Sequence, residues 1–125
     1  MKRFIGLAVL AILAVGCDTL PSGPGEITGS VRSQNASLGG AVLEIVATGV
    51  EGFSGVGGTK VFWAPQEDPV VFRVVVIGEG GGDLKFSISV QDRSDRTPRG
   101  TVVLLTDLNN LPIPVTGDHD VRFTR

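Results

Sequence analysis

Residues 84–91, Leu-Lys-Phe-Ser-Ile-Ser-Val-Gln, alternate apolar and polar side chains, so Leu84, Phe86, Ile88 and Val90 share one face and Lys85, Ser87 and Ser89 the other. Successive side chains of an extended chain point to opposite faces, so this pattern predicts a half-buried strand. Runs of the same kind occupy 27–32, 41–47, 60–63, 70–77, 101–106 and 120–124. Turn clusters separate them, among them Gly39-Gly40, Gly57-Gly58 and Gly80-Gly81-Gly82. The run 70–77 is apolar at every position except Arg73, which predicts a central strand covered on both faces. After Cys17 no segment sustains apolar residues at helical spacing.

Seven short strands with Gly-rich turns predict an all-β domain. Each strand has one face to bury, and an antiparallel β-sandwich buries it against a second sheet. Both immunoglobulin-like and jelly-roll topologies fit this pattern.

The N-terminus breaks the alternation. Met1-Lys2-Arg3 carries two positive charges, and residues 4–15 contain no charged or strongly polar side chain. A bilayer-spanning helix needs about 20 apolar residues, so the run is too short to span and reads instead as the charged and apolar regions of a signal peptide. It ends at Ala14-Val15-Gly16-Cys17, which holds the only cysteine of the chain. These residues resemble the lipobox of bacterial lipoproteins, with Ala14 at the position usually held by leucine and Leu13 one step earlier. The resemblance implies cleavage before Cys17 and acylation of its thiol. A lone cysteine forms no intrachain disulfide, which agrees with that role. Three acyl chains at about 0.8 kcal/mol per buried methylene make an effectively permanent anchor. Asp18 resembles the signal that keeps lipoproteins of enteric-type bacteria in the inner membrane.

The expected organisation is a lipoprotein signal peptide at 1–16, a lipidated tether at 17–25 and a β-sandwich at 26–125. The tether contains Pro21, Pro24, Gly23 and Gly25 and has no apolar periodicity. The stretches "GGAVLEIVATG", "TKVFWAP" and "VVFRVVVIGE" resemble short lipoproteins of environmental bacteria whose domain looks like a cohesin or carbohydrate-binding-module sandwich. The resemblance lies in core strands, so it implies a fold and transfers no functional residue.

Charge narrows the partners. Removing the first 16 of 125 residues takes Lys2 and Arg3 from the 11 basic residues and leaves all 13 acidic ones. An acidic domain without clustered Lys and Arg is a poor nucleic-acid binder, so no nucleic-acid partner is expected. The expected partners are the membrane, through the lipid on Cys17, and a protein or glycan.

Few residues offer chemistry. His119, the single histidine, sits between Asp118 and Asp120, but one histidine gives no ligand pair and Gly117-Asp118 marks a turn. Gly52-Phe53-Ser54-Gly55-Val56 approaches a nucleophile elbow, yet Val56 replaces the last glycine and no strand-to-helix unit surrounds it, so a loop is expected. Gly78-Glu79-Gly80-Gly81-Gly82-Asp83 lacks the Lys-Ser or Lys-Thr pair of a phosphate cradle and reads as a hairpin connection. Glu67-Asp68, between Pro65 and Pro69, reads as turn charges, and Asn35-Ala36-Ser37 is formally a glycosylation sequon. Phe62 and Trp63 are adjacent and must point to opposite faces, which argues against an aromatic sugar platform and assigns Trp63 to the core. Asp107-Leu108-Asn109-Asn110 and Asp118-His119-Asp120 are oxygen-rich, but their spacing matches no calcium motif and both suit ordinary turns.

These readings predict a membrane-anchored envelope lipoprotein facing the periplasm or exterior, acting as a non-catalytic binding or structural module. No catalytic residue, metal or cofactor is expected, and Cys17 is the one modified residue. The alternatives are a subunit of an envelope assembly joined through an exposed strand edge, or a small envelope hydrolase.

Overall fold

The computed structural model describes residues 22–32, 37–80, 82–94, 96–117 and 119–124. Cys17, the signal segment, and the Asn35 and Ala36 positions of the sequon lie outside them. Within them the chain forms nine strands: β1 (Gly25–Arg32), β2 (Leu38–Val46), β3 (Val50–Gly55), β4 (Lys60–Pro65), β5 (Val71–Ile77), β6 (Leu84–Val90), β7 (Arg99–Asp107), β8 (Pro112–Ile113) and β9 (Asp120–Thr124). They build two antiparallel sheets, one ordered β3-β6-β1-β9 and the other β4-β5-β2-β7-β8. The expected β-sandwich is present, and all seven expected strands are in it.

The core lies between the sheets. Leu84, Phe86, Ile88 and Val90 of β6 are buried, as their alternation demands, and meet Leu43, Ile45, Phe72, Val74, Val76 and Leu105 of the facing sheet. Close packing around Phe86 requires Gly29 on the neighbouring β1, because a Cβ there would overlap the Phe86 ring. Phe53 reaches in from β3 and joins Trp63 and Phe72, with ring centroids 5.3 and 5.4 Å away, as an aromatic plug at the β3/β4 side.

Three expectations need correction. The segment around Phe53 and Ser54 is the edge strand β3, not a loop, because Phe53 is buried and Phe53 and Ser54 pair with Ile88 and Ser87. The glycine-rich stretch from Gly78 to Asp83 is not a hairpin connection, because it joins β5 and β6, which lie in different sheets. β5 does have a strand on either side, but only one of its faces is covered. Phe72, Val74 and Val76 are buried, whereas Val71, Arg73 and Val75 are half-buried and Ile77 is exposed. β8 is a further addition, two residues paired with Leu105 and Thr106.

Candidate functional site

The two outer faces of the sandwich differ in chemistry. Across the four-stranded sheet, cross-strand partners line up Ser54, Ser87, Thr28 and Thr124, a row of hydroxyls in which Ser87 is buried. Across the five-stranded sheet, the register lines up Phe62, Val75, Val42 and Leu104, one from each of β4, β5, β2 and β7. Phe62 is 59% exposed and Leu104 46%, with the two valines half-buried between them. A β-bulge between Val42 and Leu43 leaves Val103 without a cross-strand partner, and Val103 too is exposed. The neighbouring row runs Lys60, Ile77, Gly40 and Thr106, with Lys60 and Ile77 exposed. On the other side, Arg73 and Glu44 are cross-strand partners, and Arg73 Nη2 lies 3.5 Å from Glu44 Oε2. This face is therefore an apolar band bordered by a self-neutralised ion pair.

A second constellation forms where the chain enters the domain. The Gly23 N–H donates to Asp92 Oδ1 at 3.1 Å, the Arg93 N–H donates to the Gly23 carbonyl at 2.9 Å, and Arg93 Nη2 donates to the Ser22 carbonyl at 3.2 Å. The Arg93 side chain lies across Gly25, where a Cβ would overlap it. Hydrogen bonds from the Ser94 hydroxyl, the Ser94 N–H and the Gly23 N–H hold the Asp92 carboxyl below its ordinary value of 3.8. The β6–β7 loop thus clamps the residues that lead into β1.

The residues singled out for chemistry are dispersed. Asp107 spends its Oδ1 on the N–H groups of Asn109 (2.8 Å) and Leu111 (3.0 Å), as an aspartate does in a local turn. Asp120 sits on β9 in the other sheet, 3.3 Å from Arg122 Nε, and Asp118 lies outside the described residues. His119 Nδ1 accepts from the Thr116 N–H at 3.1 Å. Ser54 is exposed on the edge strand β3. Asp68 accepts from the Val70 N–H and, with Glu67, is exposed in the β4–β5 turn. Among the described residues no three or more His, Cys, Asp or Glu side chains gather as a metal-binding group. Trp63 packs on Phe53 and Phe72 and Phe62 turns outward, as adjacent strand residues should, yet Trp63 stays 40% exposed on the edge strand β4 and is not the core residue expected.

The sequence reading missed both constellations. The two-sided apolarity of β5 carries the signal for the apolar face, but in sequence it is indistinguishable from burial on both faces. The clamp has no such signal, because Gly23 and Asp92 are 69 positions apart. Comparison with protein-family models, curated proteins and solved structures returns no match.

Proposed function

We propose that this chain is a membrane-anchored envelope lipoprotein whose sandwich serves as a non-catalytic binding or structural module. The observation that carries the reading is the open apolar band Phe62-Val75-Val42-Leu104 on the five-stranded sheet. Apolar side chains grouped on one sheet face, opposite a face that carries hydroxyls in the same place, mark an interaction surface. Anchoring is supported by the sequence before Cys17, with a two-charge start, an uncharged apolar run and small residues at the junction. The clamp fits this role. Only residues 18–21 separate Cys17 from the clamped Ser22, so the domain would ride within about 18 Å of its lipid at full extension.

The test pairs two measurements on the full chain. Wild type should fractionate with membranes and Cys17→Ser should not be retained as a processed, lipidated form. Cross-linking in intact membranes, before detergent extraction, should capture the module in a complex of defined size, whereas Phe62→Ser should abolish that complex. A wild-type chain that is soluble, or a complex indifferent to Phe62, would contradict the anchoring or the interaction half respectively.

A specific observation favours one narrower form of the module, a subunit joined through a strand edge. β4 is the edge of the five-stranded sheet, and Lys60 and Pro65 at its ends are its only residues of the kind that discourage edge pairing. Attachment of a foreign strand there would depend on the backbone of β4 and leave Leu104, three strands away, without a role.

A further inference from the structure

The apolar face has a symmetry of its own, and we infer that its occupant is a second copy of this chain, packed face to face about a two-fold axis that runs along the strands between β5 and β2. This deepens the interaction-module reading by naming the partner. Such an axis keeps each residue at its height along the strands and reverses the left-to-right order of the sheet. The row Phe62-Val75-Val42-Leu104 then meets its own reverse: Phe62 faces Leu104 of the second copy, and Val75 faces Val42. In the next row, Lys60-Ile77-Gly40-Thr106, the exposed Ile77 faces Gly40, over which the Thr106 hydroxyl leans, and Lys60 faces Thr106. In the row on the other side, Arg73 faces Glu44 of the second copy and Glu44 faces Arg73. Every apolar residue named meets an apolar residue or a glycine, Arg73 and Glu44 meet their opposites, and Lys60 meets the neutral Thr106.

Charge complementarity selects this occupant over a lipid surface. An anionic bilayer repels Glu44, whereas a second copy adds its Arg73 to the one that lies 3.5 Å from Glu44 in its own chain. Two sheets packed this way lie about 10 Å apart with strands within about 30° of each other, the ordinary arrangement of stacked sheets. The geometry also suits two chains anchored in one leaflet. The axis is parallel to the strands, so both clamped tether ends emerge on the same side.

The area sets the strength. Four long strands at about 4.8 Å spacing, each about seven residues at about 3.4 Å, give a face near 450 Å², or roughly 900 Å² from both copies. That falls below the size of stable free dimers and within the weak, transient class. Confinement of both copies to one membrane raises their effective concentration and compensates for a small interface. The dimer is therefore expected on the membrane rather than in dilute solution.

The test is site-directed cross-linking of the full chain as the cell processes it, with a short bismaleimide that spans about 10 Å. Within one chain, residues 62 and 104 are three strand spacings apart, about 14 Å, beyond its reach. Across the proposed axis they face each other. F62C/L104C should give a covalent dimer at least ten-fold above either single variant, with the linked peptides identified by mass as 62 to 104. Adding Glu44→Arg to that pair should abolish the link by placing four cations together, and further adding Arg73→Glu should restore it. All four positions are exposed or half-buried, so unchanged melting temperatures would confirm that these variants fold. F62C linking to itself as well as the double variant does would mean β4 edges pair, and would overturn the inference. No dimer above the wild-type background would overturn it too. A link through Cys17 in the wild type reports a free thiol there, which contradicts the lipid anchor and leaves the 62-to-104 result to decide the interface.

Discussion

Phe86 shows how a single side chain fixes the sandwich. It is fully buried on β6, its ring stands over Gly29 on β1, and it lies 6.3 Å from Phe123 on β9 and 6.5 Å from Phe53 on β3. Phe86→Ala should destabilise the domain by about 3–5 kcal/mol through lost burial and the cavity left behind. That is a large share of the roughly 5–15 kcal/mol typical of a domain. Lys85→Ala, on the exposed side of the same strand, should shift the melting temperature little. Equal shifts would mean that the faces of β6 are reversed. Asp92 poses a different question, because its value lies below 3.8 in the folded state owing to bonds from Ser94 and Gly23. A carboxylate whose folded value is lowered adds stability above its unfolded value and loses that contribution as pH falls through the folded one. The clamp should therefore hold at neutral pH and loosen in acid. Hydrogen exchange at the Gly23 amide should speed up, relative to global unfolding, as pH falls below about 3.8, and Asp92→Asn should remove that pH dependence. An amide indifferent to both would show that the clamp does not depend on the Asp92 charge.

Strands whose polar and apolar residues strictly alternate were legible, because a half-buried strand writes its two environments directly into the sequence. β6 is the clearest case, and its core face matches its alternation at Leu84, Phe86, Ile88 and Val90. β3 was illegible since Glu51, Gly52, Ser54 and Gly55 surround its one buried anchor, Phe53, and mimic a turn. β5 was legible as a strand but not in its setting: an open apolar face reads the same as one buried in the core. Backbone proximity is another property that only the fold reveals. Gly39, at a register shift between β2 and β7, has the Asp107 carbonyl where a Cβ would stand, whereas Gly80 faces open space. Gly39→Ala should lower the melting temperature markedly and Gly80→Ala should leave it nearly unchanged. A small effect at Gly39 would mean that β7 shifts away without cost.

Taken together, the described residues form a sandwich with one polar and one apolar outer face, with Ser22 and Gly23 clamped where the chain leads into β1. Asp107 and Asp120 belong to different sheets, and the Asp107 carboxylate is engaged in its own turn, so the two oxygen-rich stretches act as local turn chemistry. The domain should consequently melt at the same temperature with chelator and with millimolar calcium. A tight specific site would instead add roughly 2.7 kcal/mol at a hundredfold excess over its dissociation constant. A calcium-dependent rise removed by Asp107→Ala would reverse the assignment. Fold class was legible because alternation is local, and a junction of the kind proposed at Cys17 is read from a linear stretch alone. The apolar face and the clamp were not, since both depend on residues that only the sheet register or chain crossing brings together. Everything proposed for the molecule assumes that it works at a membrane, and the intact mass of the mature chain extracted from membranes tests this most directly. The account predicts a chain that begins at Cys17 and carries a diacylglyceryl thioether with an amide-linked acyl chain. A chain that keeps residues 1–16, or one whose Cys17 thiol is unmodified, would contradict it.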